Sequence, residues 1–471
     1  FACEFGESWY SQNAGVPPIL GDWRQPRIYT DDTAGGALAE RSPVTDERFI
    51  RTLGLRSAGS IDDVVFLAGP ALSTDGGINV FAFQASTQQY LGSTTLTQYD
   101  NIRSWIVDNG ALYTGVHNST GGGSVIRWTG SLVFDGNTAN LDTLFQFEVV
   151  GNLDADAANL AVHQNRIFVT TWPEVFSGDI GSQETTAGAQ DTTPAGIPSS
   201  LWMSPMIPAG GLTGANAGQW QKVWSVSDYE PDPLIAMTYG GGALASYNGQ
   251  LYWGTMHVPM MSTLAFIQTY GQPETTEGAV QAIQNTQRAI SIFRGQNFGT
   301  SRAQVQMLYG ETSLPAYNPQ TDAWSNQRTG YRPVYGPSGF GNPFNNYTWT
   351  MSVYGGQLFV GTMDWSYLLD DGLLSLLTPM FDVPLPPSLP VVPSRWGSAP
   401  PMSPGADLWR FPSGFQAATP QSVDGMGNIL NYGIRTMYVA PEGLYMGTAN
   451  PMNLRTTPGE PQGGWEVLRL R

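Results

Sequence analysis

The sequence predicts an all-β fold built by repeating a four-stranded antiparallel unit. Three observations carry this expectation. A short strand phrase recurs along the chain, turn-forming residues stand directly before each copy, and the composition is poor in charge but rich in glycine and aromatic residues. Charged residues are 13% of the 471, against 12% aromatic, with 56 glycines and 34 prolines. Few charges with many turn formers and aromatics suit strands joined by ordered loops.

The repeated phrase is a turn, an apolar pair, two more apolar positions and often Gly-Thr. It reads Asp63-Val64-Val65-Phe66-Leu67-Ala68-Gly69, then Gly110-Ala111-Leu112-Tyr113-Thr114-Gly115, then Asn165-Arg166-Ile167-Phe168-Val169-Thr170-Thr171. The clearest copies are Gly249-Gln250-Leu251-Tyr252-Trp253-Gly254-Thr255 and Gly356-Gln357-Leu358-Phe359-Val360-Gly361-Thr362, and the last is Gly443-Leu444-Tyr445-Met446-Gly447-Thr448. Each follows another short strand, such as Ile102–Val107 or Thr350–Tyr354, across residues that tolerate positive φ, so each unit opens with a hairpin. Third strands carry an apolar-Trp-Arg mark, as in Val125–Trp128, Ser291–Arg294, Asp407–Arg410 and Trp465–Arg469. Their arginines read as packing and hydrogen-bonding groups between repeats rather than as a binding stripe. Fourth strands are visible at Leu144–Val149 and Trp220–Trp224.

Six opening hairpins predict a six-bladed β-propeller of four-stranded antiparallel blades, one domain over residues 1–471. The last copy stops after its third strand. The segment 1–46, or residues just beyond it, is expected to supply the closing strand, with Arg27-Ile28-Tyr29 and Arg48-Phe49-Ile50 as candidates. A degenerate seventh blade between Phe1 and Asp46 is the alternative. On these marks the chain resembles bacterial secreted β-propellers in the broad, kelch-like sense, over roughly residues 50 to 471. The doubled glycine of a strict kelch strand is missing, and the marks imply architecture rather than activity.

The excess length falls mainly after the second strand of a unit, about Trp172–Ser199, Met256–Arg288, Asp364–Gly405 and Asn450–Gly463, with a further long connection from Glu311 to Asn346. In a propeller these loops emerge on one face, where long ordered loops carry function. Within 256–288 the spacing of Ala279, Val280, Ile283 and Ala289 predicts a helix. Within 364–405 the apolar residues Tyr367, Leu368, Leu369, Leu373, Leu374, Leu376 and Leu377 either cover the channel or form an exposed patch that docks a partner.

Net charge is −17, which excludes simple phosphate-backbone binding to nucleic acid and disfavours anionic lipid. Cys3 is the single cysteine, so no intrachain disulfide and no multi-cysteine metal site forms. No stretch has the ~20 apolar residues of a membrane helix. Low charge, one lysine (Lys222) and polar loops point to an exported protein, extracellular or periplasmic.

The three histidines, His117, His163 and His257, match no local zinc spacing. Asparagine recurs at the start of the first strand of a unit, at Asn101, Asn159, Asn346 and Asn431, where oxygen ligands together with Asp100, Asp154 or Asp156 are able to hold Ca²⁺; turn capping explains the same residues. Arg56, Arg103 and Arg435 share a place on first strands and form a candidate anion site. No nucleophile elbow is present. The expected function is therefore a non-catalytic, exported binding or scaffolding propeller without cofactor, docking a protein partner or polymer through its loop-rich face. The alternative is a calcium-dependent hydrolase or lyase with the metal in the central channel.

Overall fold

The computed structural model describes residues 2–4, 26–31, 37–72, 75–173, 196–366, 380–385, 403–450 and 464–471. The chain forms two compact units, residues 1–188 with 201–222, and residues 189–200 with 223–471. The segment holding Tyr367, Leu368, Leu369, Leu373, Leu374, Leu376 and Leu377 lies outside the described residues.

The first compact unit is a succession of antiparallel meanders. Ser57–Ile61, Val64–Pro70, Ile78–Gln84 and Tyr90–Leu96 form the first, in sequential order. Tyr99–Asp108, Ala111–Asn118, Gly123–Trp128 and Phe147–Leu153 form the second. Asp156–His163, Arg166–Trp172, Ser200–Met203 and Gln221–Ser225 form the third. Apolar side chains of neighbouring meanders interdigitate: Val64, Phe66 and Val80 of the first meet Leu112, Val116 and Ile126 of the second in one buried cluster. Burying each such side chain contributes roughly 1.5–3 kcal/mol, and this sheet-on-sheet burial is the main stabilising force here.

The second compact unit holds three further meanders. The fourth is Tyr239–Tyr247, Gln250–His257, Ile292–Gln296 and Gln304–Tyr309. The fifth is Asn345–Tyr354, Gln357–Asp364, Leu408–Phe411 and Thr419–Ser422. The sixth has three strands among the described residues, Gly433–Ala440, Gly443–Ala449 and Val467–Leu470. Single bridges, Met256 to Tyr347 and Met363 to Gly433, join the fourth to the fifth and the fifth to the sixth.

The Gly-Thr of the repeat has a physical explanation. A Cβ on Gly254 would lie 2.2 Å from Thr348 Oγ1, and one on Gly361 would lie 2.7 Å from Ile434 Cβ, so glycine lets the first strand of the next meander pack close. The threonine ties the third strand of its own meander. Ser291 N–H donates to Thr255 Oγ1 at 2.9 Å, Asp407 N–H to Thr362 Oγ1 at 2.9 Å, and Glu466 N–H to Thr448 Oγ1 at 2.8 Å. The opening hairpins turn through positive φ as expected, at Asn109 and Gly110 and again at Asn248 and Gly249.

The proposed closing strand is corrected by the structure. Arg27–Thr30 is a strand, but it pairs with Ala2–Glu4 and Ala39–Glu40 in a separate three-stranded sheet. Arg48-Phe49-Ile50 is part of a helix, Glu47–Ile50. The Asp46 carboxylate accepts from Arg48 N–H and Phe49 N–H, an N-cap that extended backbone would forgo.

The insertion after the fourth meander's second strand is two helices, Met261–Tyr270 and Thr276–Thr286, the latter where periodicity placed one. The long connection before the fifth meander is a hairpin, Ser313–Asn318 with Ala323–Arg328. Phe266 of the first helix stacks on Trp324 of that hairpin with ring centroids 5.2 Å apart, so the two insertions support each other.

Candidate active site

Two aspartates of the fifth meander form the centre of the site. Asp364 ends the second strand and Asp407 immediately precedes the third, so they flank the longest insertion of the chain. Both are buried, Asp364 at 0% exposure and Asp407 at 2%. Asp364 Oδ2 accepts from Asn342 Nδ2 at 2.7 Å, and Oδ1 from Ser366 N–H at 2.6 Å. Asp407 Oδ2 accepts from Asn345 Nδ2 at 2.6 Å and from Trp409 Nε1 at 3.2 Å. Asp407 Oδ1 is buried with no partner in good hydrogen-bonding geometry. Thr362 fixes the arrangement, because its hydroxyl donates to Asn345 Oδ1 at 2.8 Å while accepting from Asp407 N–H.

Burial pushes the Asp407 carboxyl up to about 7; the Asn345 hydrogen bond opposes this, and the neighbouring charge of Asp364 adds to it. Burial also raises Asp364, against hydrogen bonds from Ser366 and Asn342. No cation pairs with either aspartate among the described residues. Two close carboxyls without a counter-ion do not both ionise readily, so near neutrality one keeps a proton. Around the pair lie Trp365 and Phe344, fully buried and packed edge to face at 5.2 Å, with Met363, Phe381 and Ile283 of the helical insertion. Trp365 Nε1 is a buried donor without a partner.

A second ionisable cluster lies in the same compact unit. Arg288 grips Glu230 with two bonds, Nε to Oε2 at 2.7 Å and Nη2 to Oε1 at 3.0 Å. Tyr239 donates its hydroxyl to Glu230 Oε2 at 2.7 Å. Arg288 also donates to the carbonyls of Asn285 and Pro315. Every charge here is matched, which marks a structural lock.

The remaining candidates are placed as follows. Asn101 accepts from Arg56 Nη1 at 2.7 Å and donates to Asp156 Oδ2 at 2.7 Å. Arg103 pairs with the same Asp156 at 3.3 Å and lies 4.1 Å over the ring of Trp172. Arg435 lies 5.4 Å over the ring of Trp349. The arginines expected at an anion site are thus engaged by an acid, an amide and aromatic faces. Asn431 donates to Gly425 O at 3.0 Å and to Glu466; Asn346 donates to Arg288 O at 3.2 Å; Asn159 is half-buried on its strand. His117 meets Asp100 at 2.5 Å, Asp154 pairs with Lys222 at 2.5 Å, and His163 sits edge-on to Phe168. Among the described residues no group of three or more His, Cys, Asp or Glu side chains converges as a metal site. No helix among them is long and apolar enough to cross a membrane.

The sequence reading passed over the aspartate pair. The signal was an acid inside an apolar run, twice: Met363-Asp364-Trp365 and Ala406-Asp407-Leu408.

No family model matches the chain, and no curated protein matches it by sequence. Among solved structures it is similar to an arabinanase of Bacillus subtilis, at 8% identity over 66% of this chain and 90% of that one, with a TM-score of 0.28. A β-xylosidase/α-arabinofuranosidase from a compost metagenome gives 8% identity over 67% and 86%, with a TM-score of 0.28. The β-propeller domain of a protease from Pyrococcus furiosus gives 9% identity over 62% and 67%, again with 0.28. The expectation of a non-catalytic docking or scaffolding protein is corrected in favour of the alternative, a hydrolase, on the site itself: a buried carboxyl pair with no cation beside it among the described residues. The physical reason lies in the chain itself: a buried carboxyl pair without a counter-ion is costly for a scaffold. A likeness this slight carries no activity across, and the chain's blade-like architecture rests on its own consecutive meanders.

Proposed function

We propose that this protein is an exported, six-bladed propeller hydrolase that cleaves a glycosidic bond by general acid–base catalysis, with Asp407 as the acid and Asp364 as its carboxylate partner. The observation that supports the reading is the Asp407 carboxyl, raised to about 7 beside a second buried aspartate and without a cation. A protonated carboxyl and an ionised one flanking a bond are what glycoside hydrolysis requires. Asp407 protonates the leaving oxygen. Asp364 either activates water or attacks directly, according to the separation the two oxygens adopt around substrate. The rings of Trp365 and Phe344 give the pair an apolar surround, and Trp365 Nε1 and Asp407 Oδ1 are buried polar atoms without a partner, suited to hydroxyl groups.

The test is hydrolysis of xylo- and arabino-oligosaccharides and their aryl glycosides by the wild type, Asp407→Asn and Asp364→Asn. Activity in the wild type is expected to fall as pH rises through about 7, where the acid loses its proton. Asp407→Asn is expected to lose roughly 10²–10⁴-fold in kcat/KM. An inactive wild type over a broad glycoside panel, or a fully active Asp407→Asn, overturns the reading.

A further inference from the structure

We infer that His257 and Asn346 form a second polar subsite beside the aspartate pair, one that takes hydroxyl groups of a neutral, polyhydroxylated ligand. The inference rests on the hydrolase reading and specifies how its substrate is held.

Repeat position comes first. Counting two residues beyond the Thr of each Gly-Thr gives His257 in the fourth meander, Asp364 in the fifth and Asn450 in the sixth. All three are buried, at 2%, 0% and 4% exposure. His257 is therefore the fourth meander's counterpart of a proposed catalytic residue, at the same end of its sheet. The antiparallel bridge between Met256 and Tyr347 then sets His257 beside the position of Asn346. Asn346 directly follows Asn345, the residue that holds Asp407. Polar positions thus run without a break from Asp407 through Asn345 and Asn346 to His257.

Unmet hydrogen-bonding capacity is the second observation. Both ring nitrogens of His257 are buried and unpartnered, and so is Asn346 Oδ1, although Asn346 Nδ2 is used on Arg288 O. A buried imidazole with neither nitrogen bonded is rare in a folded protein and calls for a partner. The chemistry of that partner follows from what is on offer. Burial and the nearby Arg288 charge hold His257 well below its ordinary pKa, so the ring is neutral, with one donor and one acceptor. Asn346 Oδ1 adds an acceptor. One donor, two acceptors and no net charge match hydroxyl groups, which both donate and accept. An anion would need more donors. A metal cation would need more ligands and would face Arg288. Tyr239, edge-on to the His257 ring at 3.8 Å and tied to Glu230, fixes the ring plane.

The test uses calorimetric binding of the trisaccharide, xylotriose or arabinotriose, that the wild type hydrolyses, with hydrolysis blocked by Asp407→Asn. Adding His257→Leu is expected to weaken binding about tenfold or more, the loss of one to two good hydrogen bonds. Adding His257→Gln instead, which keeps a donor and an acceptor, is expected to stay within about threefold, and thermal melting checks that both variants fold. Unchanged affinity in a folded His257→Leu protein means the nitrogens hold an internal water only, and overturns the inference while leaving the hydrolase reading intact. Equal losses in the Leu and Gln variants also overturn it. A wild type that hydrolyses no glycoside sinks the parent reading, and this one with it.

Discussion

Two buried ionisable clusters in one compact unit make opposite use of charge. Glu230 and Arg288 are both almost completely buried, and each finds the other. Tyr239 and two carbonyls satisfy what remains. Asp364 and Asp407 are equally buried but share only neutral donors, Asn342, Asn345, Trp409 and the Ser366 amide. The first cluster pairs its charges directly and holds strands and insertions together. The second retains a proton near pH 7 and leaves an oxygen unmet. Burial alone is thus no mark of function. What separates a lock from a poised acid is whether the buried charge has a counter-charge.

Breaking the lock should have the largest effect on the fold. Arg288→Met leaves Glu230 buried and unpaired, and urea unfolding is expected to show a loss of about 3–5 kcal/mol. Replacing Glu230 and Arg288 together by apolar residues should cost much less, because no orphan charge remains.

The aspartate pair should show itself next, in the pH dependence of stability. Asp407 binds its proton more tightly in the folded chain, near 7, than at its ordinary value of 3.8. Its contribution is therefore full below about pH 4 and is lost as pH rises through about 7, by at most about 4 kcal/mol. Asp407→Asn removes that dependence. Its unfolding free energy should stay flatter from pH 4 to 8, and it should exceed the wild type at pH 8. A wild type and variant with parallel curves would place Asp407 at an ordinary carboxyl pKa and erase the contrast between the clusters.

Smaller effects are expected from the groups that position the pair. Thr362→Val removes the acceptor for Asp407 N–H and the donor to Asn345, at a cost of about 1–3 kcal/mol. Asn342→Leu removes a hydrogen bond that lowers both carboxyls, so the alkaline limb of the activity profile should move to higher pH, with a stability cost of about 1–3 kcal/mol from the lost bonds to Asp364 and Phe344 N–H.

Much of the framework was legible in the chain. Turn residues before an aliphatic–aromatic pair marked every opening hairpin, because positive φ and β-propensity are local properties. The helix near Glu274–Arg288 was legible for the same reason. The Gly-Thr step was visible as a pattern, yet its meaning was not: Gly361 is required by Ile434 and Thr362 serves Asp407, both more than forty residues away. The site was missed in the same way. Asn346 and Asn431 drew attention as repeated asparagines, while the aspartates that matter stood one strand away, Asp407 counted only as the first letter of a strand mark. Of the two closing-strand candidates, Arg48-Phe49-Ile50 is helical because Asp46 caps Glu47–Ile50, a local signal, whereas the pairing of Arg27–Thr30 with Ala2–Glu4 and Ala39–Glu40 is set by contacts that no local pattern encodes.

By itself, the sequence determined the class of the fold, the positions of the meanders and where the excess chain went, since strands, turns and periodicity are written in neighbouring residues. Only the tertiary structure decided which buried acids found a cation. A carboxyl's pKa depends on burial and on charges brought within a few ångströms from distant parts of the chain, and no local pattern encodes those distances.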